Sequence, residues 1–241
     1  MSRDEIEAFW RARYAQLRTT EDGRPATWLD YSSDEVRGQR LQAQTQALIL
    51  EALGPCAGLQ TLDAGCGWGR LTLALATLGA RAVGNDLIDA TIDALRRENP
   101  AVTWVAGSFL EPAVLAPHAP FDRILAVESF QCAGPPASSL HALWSHLAPG
   151  GRLVAVMPNA ACPIVQRAVA SLAGNLWAIT PEAMQAELAS LPDLARYAMR
   201  GLSFGPDQWV SPYEVSPWAT DAAAWPLANR MMIVVERRAT V

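Results

Sequence analysis

The sequence contains few of the residues that build metal sites and disulfide frameworks. Its 241 residues include only 4 cysteines and 3 histidines. The cysteines, at positions 56, 66, 132 and 162, lie far apart without a C-x-x-C pair, and the histidines form no H-x-x-x-H pattern. The sequence therefore supports neither a zinc site nor a disulfide framework, and we predict no metal.

Long apolar runs and concentrated positive charge are also absent. No stretch approaches the roughly 18 apolar residues of a membrane span, and the charged residues 3–7 do not resemble the start of a signal peptide. The net charge is −5, and the 19 basic residues are scattered rather than arranged as a stripe for phosphate groups. We expect a soluble, cytoplasmic protein that binds neither nucleic acid nor membrane. The sequence does not indicate an oligomeric state.

Apolar residues are plentiful, and their pattern predicts an α/β fold. Hydrophobic residues make up 51% of the chain, which is enough for a substantial core in one domain. Predicted strands alternate with helical patterns, an order typical of a doubly wound parallel sheet with helices on both faces. The strands are Gln60–Ala64, Ala82–Asp86, Thr103–Ala106, Arg123–Val127 and Arg152–Met157, and the helices are Arg70–Leu78, Asp89–Glu98 and Ser138–Leu147. Ligands of such sheets bind outside the carboxyl ends of the strands.

The two ends of the chain depart from this alternation. A helix is predicted from Ser32, with Glu35 completing a capping box, to about Leu53. Near the other end we predict strands at Tyr197–Phe204 and Met231–Arg237, separated by a segment rich in proline and aromatic residues. No internal repeat or second domain is evident.

The most informative segment is L-D-A-G-C-G-W-G, residues 62–69, which joins the first strand to a helix. Glycines at such a junction let a ligand lie against bare backbone. The dinucleotide fingerprint G-x-G-x-x-G would need a third glycine where Arg70 stands, which disfavours a nicotinamide-dependent oxidoreductase. The pattern D-x-G-x-G-x-G instead resembles the first motif of the Rossmann-like (class I) S-adenosylmethionine-dependent methyltransferases.

This resemblance implies a Rossmann-like, seven-stranded, mostly parallel sheet whose last strand is antiparallel. It implies one domain of residues 1–241, with a helical lid or cap segment at 1–58, a cofactor-binding core at 59–157, and substrate-side additions with the final strands at 158–241. It also implies S-adenosylmethionine as cofactor and S-adenosylhomocysteine as product. Residues that the resemblance assigns to the cofactor are Asp63, Gly65, Cys66, Gly67, Asp86, Leu87, Ser108, Phe109 and Glu128.

Two of these assignments keep an alternative. An acidic residue at the end of the second strand binds the ribose hydroxyls in the family, and two acceptor oxygens suit Asp86 to that role; a helix cap or a solvated turn is its alternative, with Asp89 the expected cap of the next helix. After the third strand many relatives carry an aspartate for the adenine amino group. Ser108 stands there instead, so Ser108 and Phe109 either contact adenine or form a plain turn with a buried ring.

The fourth strand, F-D-R-I-L-A-V-E-S-F-Q-C, resembles the family segment F-D-x-V-x-x-x-E-V-L-E-H. Glu128 matches the carboxylate at the strand end and is the predicted catalytic residue. Cys132 stands where the family has a histidine, so an imidazole base is missing there. The segment from Leu147 to Leu153 matches the family turn L-x-P-G-G-x-L, a structural landmark.

Aromatic residues outside the core elements could wall a pocket for the methyl acceptor. We predict that Tyr31, Trp209, Tyr213 and Trp218 bind substrate; the alternative is that they clamp loops to the body of the protein.

The sequence thus predicts methyl transfer to a small, partly apolar or aromatic molecule, on oxygen or nitrogen. The sulfonium of the cofactor is already activated, so such an enzyme acts mainly by alignment and desolvation. A protein or peptide methyltransferase, or a cofactor-binding partner subunit without turnover, are the alternatives that the sequence leaves open.

Overall fold

A computed structural model describes residues 3–16, 35–171, 177–204, 215–218 and 222–240. Strands and helices alternate along most of this length. The strands are β1 Gln60–Ala64, β2 Arg81–Asp86, β3 Thr103–Ala106, β4 Phe121–Val127, β5 Leu147–Pro158, β6 Leu194–Phe204, β7 Val215–Trp218 and β8 Arg230–Arg237. The helices are α1 Arg3–Gln16, α2 Glu35–Leu53, α3 Arg70–Thr77, α4 Asp89–Glu98, α5 Pro112–Leu115, α6 Phe130–Ala133, α7 Pro136–Ser145, α8 Pro163–Ser171 and α9 Pro181–Ala189, with a 3₁₀-helix at Ala222–Leu227.

All the strands belong to one sheet, in the order β3-β2-β1-β4-β5-β8-β6-β7. Strands β1 to β5 are parallel, and β8 is antiparallel to both of its neighbours, β5 and β6. The predicted seven-stranded, mostly parallel sheet with an antiparallel last strand is confirmed. The short strand β7 adds an eighth strand beyond β6, at the edge of the sheet.

The sheet is buried on both faces because successive residues of its central strands point to opposite sides. In β4, Ile124 packs into one hydrophobic cluster and Leu125 into the other. The first cluster includes Leu140 of α7, and the second includes Ile49 of α2 and Leu75 of α3. Helices therefore cover both faces, as the alternation in the sequence predicts.

Element boundaries differ from the predictions mainly at turns. β5 begins at Leu147 rather than Arg152, because residues from the proline-glycine turn also pair with β4, through an irregularity between Phe121 and Arg123. Helix α7 begins two residues earlier than expected, at Pro136. No helix among the described residues is long and apolar enough to cross a membrane.

Candidate functional site

The glycine loop between β1 and α3 depends on backbone conformations that favour glycine. Gly65, Gly67 and Gly69 have φ values of 74°, 54° and 77°. Two N–H groups of the loop, from Gly65 and Cys66, donate to the backbone oxygen of Asn85, each at 2.8 Å. These bonds tie the loop to the carboxyl end of β2, so its shape is set before any ligand arrives.

Side chains crowd two of the loop glycines. A Cβ at Gly65 would lie 2.3 Å from the Cβ of Ser129, and a Cβ at Gly69 would lie 2.6 Å from the indole of Trp104. Together with the positive φ angles, these contacts leave no room for a side chain at either position.

Asp63, at the end of β1, is 2% exposed and lies beneath the loop. Its carboxylate accepts a hydrogen bond from the hydroxyl of Thr72 at 2.7 Å. Burial raises the pKa of Asp63 to about 6, against the lowering effects of the Thr72 hydrogen bond and the charge of Arg70. A buried carboxyl group with a raised pKa next to a glycine-rich loop is typical of a functional site.

Asp86, at the end of β2, connects the glycine loop to the next helix. One carboxylate oxygen accepts from the N–H of Gly67 at 2.9 Å, and the other accepts from the N–H of Ile88 at 3.0 Å. Burial raises the pKa of Asp86, while these backbone N–H groups lower it. Asp86 does not cap α4, because the N–H that it accepts belongs to Ile88, ahead of the helix; its carboxylate forms a turn instead. Each oxygen keeps a second lone pair for a ligand, and ribose binding stays a prediction. The expectation that Asp89 caps α4 is wrong: Ile88 is the N-cap and Asp89 is the first helical residue.

Cys66 and Leu87 complete this side of the site. The thiol of Cys66 lies 3.6 Å from the backbone oxygen of Gly67. Burial raises the pKa of Cys66 well above its ordinary value, and the charges of Asp86 and Asp63 raise it further. Leu87 is half-buried between Asp86 and α4.

After β3, Ser108 is half-buried and Phe109 is 5% exposed. The hydroxyl of Ser108 accepts from the N–H of Leu110 at 3.2 Å, and Phe109 packs in the larger hydrophobic cluster. This is the arrangement of a turn followed by a core residue. The adenine contact of Ser108 and Phe109 stays a prediction.

Glu128, directly after β4, is held by two side chains. It has a left-handed backbone with φ of 57°. Its carboxylate accepts from Nε of Arg230 at 2.6 Å and from Nε2 of Gln131 at 2.8 Å. Burial raises the pKa of Glu128, and the charge of Arg230 opposes this rise. These two bonds fix the position of the carboxylate, and each oxygen keeps a second lone pair. The catalytic role of Glu128 stays a prediction.

Other groups that could accept a proton lie elsewhere or are poorly suited to it. Burial raises the pKa of Cys132 well above its ordinary value. His118 and His146 lie at the opposite edge of the sheet, since their backbone oxygens accept from Gln60 and from Phe121 at the starts of β1 and β4. His141 pairs with Glu187 at 3.1 Å on the surface. In the described part of the chain, no group of three or more His, Cys, Asp or Glu residues could hold a metal ion.

Four polar residues at this edge are not among the predicted site residues: Ser129, Gln131, Asn159 and Arg230. Asn159 is fully buried, and its side-chain amide donates hydrogen bonds to the backbone oxygens of Trp225 and Ala228, which precede β8. Ser129 and Gln131 are 6% and 3% exposed, and Ser129 Oγ and Gln131 Oε1 have no hydrogen-bond partner among the described residues. The one sequence signal was the position of Ser129 and Gln131 next to Glu128.

The predicted substrate residues are only partly covered by the structure. Tyr31, Trp209 and Tyr213 lie outside the described residues, and Trp218 ends the edge strand β7. Their contact with a methyl acceptor stays a prediction.

Comparison with known proteins identifies the group to which this fold and loop belong. The family model of a methyltransferase domain matches residues 61–151, from β1 into β5. This part of the chain therefore matches a methyltransferase domain, the kind of domain that the glycine loop resembles. The matched residues contain the glycine loop, Asp86 and the β4 end, which are the features on which the resemblance was based.

One curated relative is a ubiquinone biosynthesis O-methyltransferase from Albidiferax ferrireducens, 35% identical over 104 residues. The match covers 41% of this chain and 41% of the relative, so the chain spans about two fifths of the relative's length. Solved structures show the same fold over nearly the whole chain. A geranyl diphosphate C-methyltransferase from Streptomyces coelicolor has a TM-score of 0.63 at 18% identity, covering 99% of this chain and 98% of that one. A magnesium protoporphyrin IX methyltransferase from Synechocystis has a TM-score of 0.59 at 14% identity, covering 98% and 97%.

Proposed function

We propose that this protein transfers a methyl group from S-adenosylmethionine to a small, partly apolar or aromatic molecule, on oxygen or nitrogen. The observation that carries the proposal is the glycine loop, whose left-handed glycines are fixed by Asp86 and Asn85 at the carboxyl edge of the sheet. A ligand of a doubly wound sheet binds at this edge.

The residues present fit the cofactor. Packing against Ser129 and Trp104 requires glycine at positions 65 and 69, so no side chain from these positions covers the backbone of the loop. Asp63 and Asp86 supply buried carboxylates beside it. Asp63, Gly65, Cys66, Gly67, Asp86, Leu87, Ser108, Phe109 and Glu128 are the residues proposed to line the cofactor site. When bound, the cofactor supplies a methyl group already activated by its sulfonium.

The chain's own contribution is binding, orientation and exclusion of water. Glu128 is held by Arg230 and Gln131, and Cys132 stays a thiol because burial raises its pKa. Cys132 is therefore not poised to remove a proton near neutral pH, and Glu128 stays the proposed catalytic residue. This arrangement suits an acceptor that arrives in nucleophilic form, such as a carboxylate, a phenolate or a neutral amine.

A small acceptor is supported by the similar proteins, which are named as methyltransferases of ubiquinone biosynthesis, of geranyl diphosphate and of magnesium protoporphyrin IX. The predicted pocket aromatics Tyr31, Trp209, Tyr213 and Trp218 suit a ligand with apolar surface. A protein or peptide acceptor, and a partner subunit without turnover, are the competing possibilities.

The first test is ligand binding. We expect S-adenosylhomocysteine, at about 100 times its Kd, to add roughly 2.7 kcal/mol to the free energy of unfolding, and NAD to add nothing. Turnover is then measured with methyl-labelled S-adenosylmethionine on separate panels of phenols, amines, carboxylic acids and peptides. Stabilisation by NAD alone would refute the cofactor assignment. Labelling confined to peptides would refute the small acceptor, and binding without any turnover would favour the partner subunit.

A further inference from the structure

Ser129 occupies the N-cap of α6 but does not cap it. Serine is among the preferred N-cap residues because its side-chain oxygen accepts an N–H group of the first helical turn. Here no such bond is made, although the residue is 6% exposed. Its Oγ has no hydrogen-bond partner among the described residues. A buried hydroxyl without a partner costs about 1–3 kcal/mol, so this side chain calls for an explanation.

The backbone before Ser129 explains where its side chain lies. Glu128 adopts a left-handed conformation, uncommon for a residue with a side chain. The ion pair with Arg230 and the bond from Gln131 stabilise that conformation. The turn places Ser129 against the glycine loop: a Cβ built on Gly65 would lie 2.3 Å from Ser129 Cβ and 3.1 Å from Ser129 Oγ. The hydroxyl therefore adjoins the first glycine of the loop instead of the helix.

The charge around this hydroxyl indicates which ligand group it meets. Asp63, Asp86 and the side chain of Glu128 are all at least nine-tenths buried at this edge of the sheet. The charges of Asp63 and Asp86 raise the pKa of Cys66, and those of Glu128 and Asp86 raise the pKa of Cys132. The three carboxylates therefore lie near the space between the glycine loop and α6. A cation is stabilised by such surroundings and an anion is repelled.

We propose that Ser129 Oγ accepts a hydrogen bond from the α-ammonium group of the cofactor's amino-acid part. This assignment rests on the proposed function and adds to it a residue outside the resemblance, since the family segment has valine where Ser129 stands. Ser129 is thus a binding residue that distinguishes this chain from the family pattern.

The test is isothermal titration calorimetry with three probes. S-adenosylhomocysteine carries both the ammonium and the carboxylate, its decarboxylated analogue keeps only the ammonium, and 5′-methylthioadenosine has neither. In Ser129→Ala we expect the Kd of the first two probes to rise about tenfold, the scale of one hydrogen bond to a charged group. The Kd of 5′-methylthioadenosine should change less than twofold.

The matched control is Ser139→Ala. Ser139 of α7 is fully buried, and its hydroxyl donates a hydrogen bond to the backbone oxygen of Phe130, the first residue of α6. This variant reports on loosening of α6 and should affect all three probes alike. The thermal midpoint of each variant verifies folding.

The outcomes separate the two proposals. If the wild-type protein binds none of the probes, the cofactor assignment and this inference both fail. If it binds them but Ser129→Ala leaves every Kd unchanged, or weakens all three equally, only the inference fails. A loss with S-adenosylhomocysteine but not with the decarboxylated analogue would move the contact to the carboxylate and overturn the assignment to the ammonium.

Discussion

The substitution Arg230→Met tests how the β4 end is held in place. In the wild-type protein, Nε of Arg230 lies 2.6 Å from the Glu128 carboxylate. The two side chains are 19% and 6% exposed, so the pair is largely shielded from water. Methionine has an aliphatic side chain of similar volume to the stem of arginine, but it carries no charge. Among the described residues, the Gln131 amide is then the remaining side-chain partner of the Glu128 carboxylate.

The expected loss of stability is large. Removing one partner of a buried ion pair costs about 3–5 kcal/mol, because the remaining charge is buried without compensation. Replacing both partners costs much less, since no uncompensated charge remains. We therefore expect Arg230→Met to lower the free energy of unfolding by about 3–5 kcal/mol, and Glu128→Gln/Arg230→Met to recover most of that loss. The coupling follows from the double-mutant cycle.

The pH dependence adds a second signature. Burial raises the pKa of Glu128 already in the wild-type protein, and the charge of Arg230 opposes this rise; without Arg230 the pKa rises further. Glu128 has a higher pKa in the folded protein than in the unfolded chain, so at a pH between these two values the folded state binds more protons. The free energy of unfolding therefore falls as the pH rises through this window. Arg230→Met should therefore be more stable at pH 5 than at pH 8, relative to the wild type.

The assay is urea denaturation followed by circular dichroism at both pH values. Glu128→Gln/Arg230→Met is the control, because it lacks the titrating carboxylate and should lose the added pH dependence. A loss below 1 kcal/mol in Arg230→Met, with no added pH dependence, would show that the ion pair does not stabilise the left-handed turn and would refute this account of the β4 end.

Three further predictions concern the loop and its support. Because burial raises the pKa of Asp63 from 3.8 to about 6, Asp63→Asn should raise the free energy of unfolding at pH 7 by about 2–3 kcal/mol. It should also remove the decline of wild-type stability between pH 4 and 7; an unchanged pH profile in denaturation experiments would contradict this. Asp86→Ala should weaken S-adenosylhomocysteine binding by about 1.5–3 kcal/mol, whereas equal affinity by calorimetry in a folded variant would leave Asp86 a structural turn residue only. A Cβ at Gly84 would lie 2.5 Å from the Trp104 ring, so Gly84→Ala should destabilise by about 1–3 kcal/mol. Trp104→Phe should then be better tolerated in the Gly84→Ala background than in the wild type, and additive losses would refute the steric account.

The central sheet could be predicted because its strands carry local signals. Gln60–Ala64 and Thr103–Ala106 begin and end where the sequence predicts, as does helix Asp89–Glu98. Their boundaries are set by glycine, proline and polar residues adjacent in the chain. The antiparallel direction of the last strand is implied only by the family resemblance, and the place of β8 between β5 and β6 is shown by the structure alone, since pairing between distant strands leaves no local trace.

The side-chain contacts of the site could not be predicted for the same reason. Arg230 and Glu128 are separated by 102 positions in the sequence, and their contact exists only because β8 lies next to β5. Asp86 illustrates a different limit, because the sequence presents ribose binding and a cap or turn as alternatives. The structure shows its carboxylate bonded to the N–H groups of Gly67 and Ile88, which leaves lone pairs for a ligand.

The electrostatics of the folded chain favour the binding of a cation at this edge. Burial raises the pKa of Asp63, Asp86 and Glu128, so the charged form of each carboxylate is disfavoured in the folded state. A structural role alone would be served as well by neutral amides, as in Asn85, which bonds two backbone oxygens of the neighbouring strand and turn. A bound cation would offset this cost, and would do so more than a neutral ligand of the same shape.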